Sequence, residues 1–384
     1  MGSVSAYETA AGRRYRVRYR TPDHRQTDKR GFKTKREAEL FKATTEVNTA
    51  RGLYVAPSKS RVALDEWLTA WIGNRSDLTP TSRERTEGII RVHIVPALGR
   101  RSLAELTHSG IQGWASSLSA SQGPSSVRKI VNVLSGALEV AVRDGRLPSN
   151  PAHGLKLPKV SQAKKTYLTH AQVADLAAST DAKLPGHGYG TLVRVLAYCG
   201  LRWSELSGLR VGDVDLQRAR LEIQHTVTES GGVQHEGVPK SHEARSVPVP
   251  ASIVRELAAR VDGRAPVDPL FPGSRGHGWL RNRVFRRGAF DAAATEVGLE
   301  GLTPHEMRHT AASLAISVGA NVKAVQRMLG HASAAVTLDT YADLFDDDLD
   351  AVSGALDQAI VAPVVGKEWA GPKKVGRPKR GQPT

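Results

Sequence analysis

The stretch LTPHEMRHTAASLAISVGANVKAVQRMLGHASAAVTLDTYADLF, residues 302 to 345, sets four reactive side chains on short, firmly ended elements. Thr303 is placed to cap a helix, Pro304 suits a first turn, and Glu306 lies three residues beyond Thr303, the spacing of a reciprocal cap. His305 and Arg308 then fall three apart on one helical face. Asn321 opens a second helix in which Val322, Val325, Met328 and Leu329 recur with helical period; Gly330 stops it and His331 follows the stop. A loop, HASAAVTLDT, is expected to carry the chain from His331 to Tyr341.

Two chemistries compete for these residues. HEMRH at 305 to 309 has the H-E-x-x-H pattern, in which two imidazoles four apart bind zinc and the glutamate activates water. Its surroundings argue against a metal: Ala312 and Ala315 stand where an extended zinc motif needs Gly and His, no glutamate follows Glu306 until Glu368, and Arg308 would hold a cation within one turn of the ion. The second chemistry is attack on a phosphodiester. A phenol with a pKa of about 10 is a poor nucleophile until cations and donors stabilise the charge growing on the phosphate oxygens. Arginine suits that task because its planar fork meets two oxygens at once. One arginine leaves part of a pentavalent transition state uncovered, and a second is found at Arg202, in CGLRWSEL.

GLRWSEL at 200 to 206, PKSHEARSVPVP at 239 to 250, TPHEMRHT at 303 to 310, LGH at 329 to 331 and TLDTYADL at 337 to 344 resemble, in order, the boxes of the tyrosine recombinase, or phage integrase, family. The type is the arm-binding one, similar to integrases of actinobacterial phages or mobile elements. The resemblance implies Arg202 and Arg308 as the phosphate-clamping arginines, Lys240 as a mobile general acid, His305 and His331 as supporting donors or acid/base groups, and Tyr341 as nucleophile. Glu205 matches an acidic position that orients its neighbours. It also implies a 3′-phosphotyrosyl intermediate, which stores bond energy so that neither metal nor cofactor is needed. A homotetramer on paired double-stranded DNA sites, core and arm, follows from the same resemblance, with a host DNA-bending protein and an excisionase as further partners.

The rest of the chain agrees with a polyanionic partner. Across 384 residues, Lys and Arg number 54 against 38 Asp and Glu, a net charge of +16. The single cysteine, Cys199, excludes an internal disulfide and agrees with a reducing cytoplasm; the resemblance implies that of a bacterial host, with the protein associated with the nucleoid. No apolar run is long enough for a membrane span and no signal-peptide pattern is present.

The fold class expected is multidomain α+β. Residues 1 to 60 read as a small sheet-plus-helix module: Tyr15, Val17 and Tyr19 alternate with Arg14, Arg16, Arg18 and Arg20, giving one apolar and one cationic face. A second strand near Lys29 to Lys33 and a helix from Lys35 to Arg51 follow. The resemblance makes this module the arm-type DNA-binding domain. Residues 61 to 155 are all-α, with helices starting at Leu64, at Thr79-Pro80, at Thr107 and near Val127, matching a core-binding domain in which Trp67, Trp71 and Trp114 are read as packing residues. Lys156, Lys159, Lys164 and Lys165 make the connection beyond it basic and fit a DNA backbone.

Residues 156 to 360 form the mainly helical catalytic domain with a small antiparallel sheet, read from Arg220 to Gln224, a Gly231-Gly232 hairpin and a closing strand at Arg245 to Pro250. Past Tyr341, Asp346 to Asp348 lead to Val352, Leu356 and Ile360, a segment that either packs on its own domain or docks on a neighbouring protomer. Residues 361 to 384 read as a basic disordered tail. Two other classes share parts of this pattern: a chromosome dimer-resolving recombinase, which normally lacks the N-terminal module, and a non-catalytic DNA-binding protein, in which some catalytic position should be lost. Lys240→Ala is expected to cripple cleavage of ordinary DNA; undiminished cleavage removes Lys240 from the role of acid.

Overall fold

A strand that alternates aromatic or aliphatic residues with arginines can bury only one face, and that is how the chain begins. In the computed structural model, which describes residues 2–21, 24–51, 54–161, 165–239, 244–273, 278–341, 356–357 and 360, strands β1 (Ser3–Thr9), β2 (Gly12–Arg20) and β3 (Gln26–Phe32) form an antiparallel sheet in that order. Helix α1 (Lys35–Ala50) covers it, started by a reciprocal cap between Thr34 and Glu37. Val17, Tyr19 and Ala38 are buried, with Phe32, Phe41 and Tyr54 packed around them. Arg18 and Arg20 stay exposed, and Arg16 donates from Nε to Ser5 Oγ at 2.9 Å. Strand β1 has no counterpart in the sequence reading. None of its residues is buried and most are exposed, so pairing with β2, from Ser3 opposite Arg18 to Thr9 opposite Gly12, makes it a strand rather than its own hydrophobicity.

After a short turn of helix, α2 (Pro57–Ser60), come α3 (Leu64–Gly73) and α4 (Pro80–Ile89), which runs through a widened π turn at Ile90–Ile94 into α5 (Val95–Leu98). Pro96, which has no N–H to donate, accompanies that widening. Helices α6 (His108–Leu118) and α7 (Pro124–Arg143) complete the module. Along α7, Val127, Ile130, Val131, Leu134, Ala137, Leu138 and Ala141 are buried, the stripe of a helix that packs along its whole length. Trp67, Trp71 and Trp114 lie in the same core, and Trp67 Nε1 donates to the Ala137 carbonyl at 2.9 Å. These rings are packing residues, as read from the sequence.

The chain divides into two compact units, Met1–Lys164 with Thr228–His235, and Lys165–Val227 with Glu236–Thr384. The second is built around α9 (Tyr189–Cys199), buried on nearly every side, with α8 (His170–Lys183), α11 (Ala251–Val261) and α14 (Glu306–Ser317) packed on it. Between them in sequence lie α10 (Trp203–Gly208) and the antiparallel sheet β4 (Val214–Asp215), β5 (Arg220–Ile223) and β8 (Arg245–Pro248), in that spatial order. The hairpin of β6 (Thr226–Ser230) and β7 (Val233–Gly237) turns at Gly231-Gly232. Helices α12 (Asn282–Phe285), α13 (Asp291–Glu296), α15 (Val322–Leu329) and α16 (Ala334–Tyr341) finish the described fold.

Two local expectations are corrected. Thr303 does not cap with its side chain: α14 starts at Glu306 with His305 at the cap position, and Glu306 instead receives the Thr303 N–H at 2.6 Å. The segment before Tyr341 is not a loop, because Ser333 Oγ accepts the Val336 N–H at 3.4 Å and Thr337 is fully buried, which turns Ala334–Tyr341 into a helix ending on the tyrosine.

Gly200, at φ 65°, closes α9 in the left-handed region; a Cβ there would lie 2.6 Å from Leu329 Cδ2 and 3.2 Å from Ala311 Cβ. Gly200→Ala therefore combines backbone strain with overpacking and should lower stability by about 2–4 kcal/mol in a urea titration. An unshifted midpoint would show that the contact relaxes freely.

Candidate active site

The ends of α9 and α15 present backbone carbonyls that have no partner within their own helices, and a buried guanidinium takes up both. Arg308, 3% exposed, donates from Nη1 to the Gly200 carbonyl and from Nη2 to the Leu329 carbonyl, each at 2.6 Å. Arg202 caps α10 and donates from Nη1 to Glu205 Oε1 at 2.7 Å and from Nη2 to the Gly330 carbonyl at 3.2 Å. The two arginines meet the same helix end, α15 and its Gly330 stop, from different segments.

Glu205 is the anion that holds the cations. It is 1% exposed and accepts from Arg245 Nη1 at 2.9 Å, Arg245 Nη2 at 2.7 Å, Arg202 Nη1, and the Arg202 backbone N–H at 2.8 Å. Burial alone would raise its carboxyl; the bonds and charges of Arg245 and Arg202 outweigh it and hold it down at about 2. Arg245 also donates from Nε to the Met328 carbonyl at 3.2 Å. Burial, then the Arg202 charge, pulls Arg308 down to about 10, which leaves it charged at neutral pH.

Tyr341, at the end of α16, is 1% exposed. Its hydroxyl lies 2.9 Å from His309 Nδ1, and its ring lies parallel to that of His331 at 6.4 Å between centroids. Lys165 Nζ donates to the Thr340 carbonyl and sits 5.6 Å above the Tyr341 ring. His305 stands edge-on to His309 at 5.2 Å, and His331 Nδ1 pairs with Thr337 Oγ1 at 2.9 Å. Burial pushes the phenol up to about 12, against the pull of Arg308. Burial first, then neighbouring positive charge, lowers His305 and brings His309 and His331 down to about 4, so all three imidazoles are neutral at pH 7.

Arg202, Glu205, His305, Arg308, His331 and Tyr341 thus converge in the second unit. Lys240 and Lys164 lie outside the described residues, as do Asp346 to Asp348, Val352 and the tail; Leu356 and Ile360 are exposed. Arg14, Arg16, Arg18, Arg20, Lys156 and Lys159 belong to the first unit, where Lys156 exchanges backbone hydrogen bonds with Gln112. Lys165, grouped by sequence with the linker lysines, lies beside the tyrosine. Sequence reasoning missed His309 and Arg245 as members of the cluster. The signal for His309 was the four-residue spacing from His305, read only as a metal pattern. Among the described residues no group of three His, Cys, Asp or Glu can hold a metal ion, and the Glu306 carboxylate is engaged by the Thr303 N–H.

The family model described as "Phage integrase family" matches residues 166–347, and that described as "Phage integrase, N-terminal SAM-like domain" matches residues 63–119. The chain belongs to the phage integrase family. Its members are tyrosine recombinases, enzymes that cut and rejoin DNA. The chain is 29% identical over 213 residues to tyrosine recombinase XerD of Pseudomonas aeruginosa, across 55% of this chain and 69% of that protein. Its fold resembles the Tn1549 transposon integrase in complex with a circular intermediate DNA, with a TM-score of 0.64 at 21% identity over 77% of this chain and 99% of that one. It also resembles a lambda integrase tetramer bound to a Holliday junction, with a TM-score of 0.55 at 18% identity over 85% and 95% of the two chains.

Because the Glu205 carboxyl is held below its usual 4.5, its ion pairs contribute stability fully present above about pH 4.5 and lost as pH falls through about 2. By linkage the contribution is on the order of 3 kcal/mol. Glu205→Gln should lose that contribution and flatten the acid limb of a urea-midpoint titration between about pH 5 and 2.5. An acid limb as steep as that of the unaltered protein would contradict the assignment.

Proposed function

We propose that this recombinase is the integrase of a phage or other mobile element. Tyr341 attacks a DNA phosphate to give a 3′-phosphotyrosyl bond and a free 5′-hydroxyl, and the 5′-hydroxyl of a partner strand reverses the step. Arg202 and Arg308 hold the phosphate oxygens, Glu205 orients Arg202 and Arg245, His305 and His331 supply further donors, and Lys240 protonates the leaving oxygen. The bond energy stays in the intermediate, so the chemistry runs without metal, nucleotide or other cofactor. Two rounds of exchange pass through a four-way junction on a homotetramer; the likeness to the lambda integrase tetramer on a Holliday junction supports that assembly.

The observation that carries the integrase reading is the N-terminal module. The sheet β1-β2-β3 with α1 precedes both family matches, which begin at residues 63 and 166, and it offers Arg18 and Arg20 on an exposed face. A second, separate DNA-binding module lets one protomer hold an accessory arm site while the helical module and the basic linker with Lys156, Lys159 and Lys164 grip the core site. A chromosome dimer-resolving recombinase is the competing reading, and the N-terminal module weighs against it, because an enzyme of that kind is expected to lack one. The reaction takes place in the bacterial cytoplasm, on the nucleoid, with a DNA-bending protein and an excisionase setting its direction.

On nicked suicide duplexes the protein should form an SDS-resistant adduct that is absent in Tyr341→Phe. Removing residues 1 to 55 should abolish arm-site binding and spare core-site adducts. An adduct in Tyr341→Phe sinks the mechanism, whereas unchanged arm binding after the deletion sinks only the integrase reading.

A further inference from the structure

We propose that His309 is a further catalytic residue, the group that takes the proton from the Tyr341 hydroxyl as its oxygen bonds to phosphorus and returns it when the phosphotyrosyl bond is reversed. The inference rests on Tyr341 being the nucleophile. It starts from a contact: among the described residues, the phenolic hydroxyl hydrogen-bonds to His309 Nδ1, at 2.9 Å. In the tautomer with its proton on Nε2, His309 accepts the phenolic O–H, and that geometry is already within reach of proton transfer.

The neighbouring groups are unsuited to the task. Arg202, Arg308 and Lys165 are cations with no lone pair to offer. His331 faces the ring of Tyr341 rather than its hydroxyl and pairs through Nδ1 with Thr337. His305 lies one ring further away, against His309. The carboxylate of Glu306 is engaged by the Thr303 N–H. His309 follows Arg308 directly on α14, so the proton acceptor and the phosphate clamp are carried by one rigid element.

Proton, bonds and charge balance. The Tyr341 Oη–P bond forms, the P–O5′ bond breaks, the phenolic proton passes to Nδ1, and the leaving 5′ oxygen takes a proton from the general acid. In reversal, the 5′-hydroxyl attacks and the departing phenolate recovers its proton from His309. The surroundings also time the transfer. In the free protein, burial and then the charges of His305, Lys165 and Arg308 push His309 down to about 4, with Glu306 opposing, and His331 faces it from beyond α15. A phosphate anion clamped by Arg202 and Arg308 offsets the charges of Lys165 and Arg308, so His309 binds a proton more readily when substrate is present.

The test is single-turnover adduct formation on a nicked suicide duplex, followed from about pH 6 to 9.5, for the unaltered protein and His309→Asn. At neutral pH the variant should bind the duplex but react about 100-fold or more slowly. Its rate should rise about tenfold per pH unit, because hydroxide must now ionise the phenol, while the unaltered protein stays nearly flat to about pH 8. A variant profile parallel to that of the unaltered protein, whatever its height, gives His309 a merely structural role and overturns the proposal. Should His309→Asn not fold, His309→Ala in imidazole buffer carries the test: restored adduct formation supports it, and no response to imidazole overturns it. Tyr341→Phe run alongside separates the two levels, since an adduct there brings down the nucleophile itself rather than the assignment of its base.

Discussion

The buried guanidinium of Arg308 joins three stretches of chain that are far apart in sequence. A charge taken out of water is tolerated only where its N–H groups find acceptors, and those acceptors are the last carbonyls of α9 and α15. The left-handed glycines that end both helices, Gly200 and Gly330, leave those carbonyls free and let the backbone approach closely. Once Arg308 is seated, His305 and His309 on the same helix are aimed, and the stop of α15 lies where Arg202 can reach the Gly330 carbonyl.

Around that clamp the site is strongly cationic, and Glu205 is its buried counterweight. A single carboxylate accepting from two guanidinium groups keeps both planar forks oriented without consuming every donor. Burial first, and then that positive field, keeps the imidazoles neutral, and the same field is what a phosphodiester would meet.

Much of this was legible in the sequence, for identifiable reasons. Arginines, histidines and a tyrosine in fixed local contexts point to phosphoryl chemistry, because few other groups can do that work, and α7 and the helix starts at Thr79 and Thr107 follow from local spacing. Strand β1 was not legible, since its pairing partner rather than its own residues creates it. The helix before Tyr341 was missed because Ser, Thr and Val residues in HASAAVTLDT weigh against a helix until burial of Thr337 decides the matter. His309 and Arg245 were hidden for a different reason: each acquires its meaning from a partner, Tyr341 or Glu205, that only the tertiary fold brings within reach.

Tyr341 sits on the closing turn of α16, downstream of every arginine in the cluster. A ribosome therefore releases the phenol after the arginines that come to surround it, and a nascent chain stopped short of residue 341 carries the cationic cluster without the side chain that fills it.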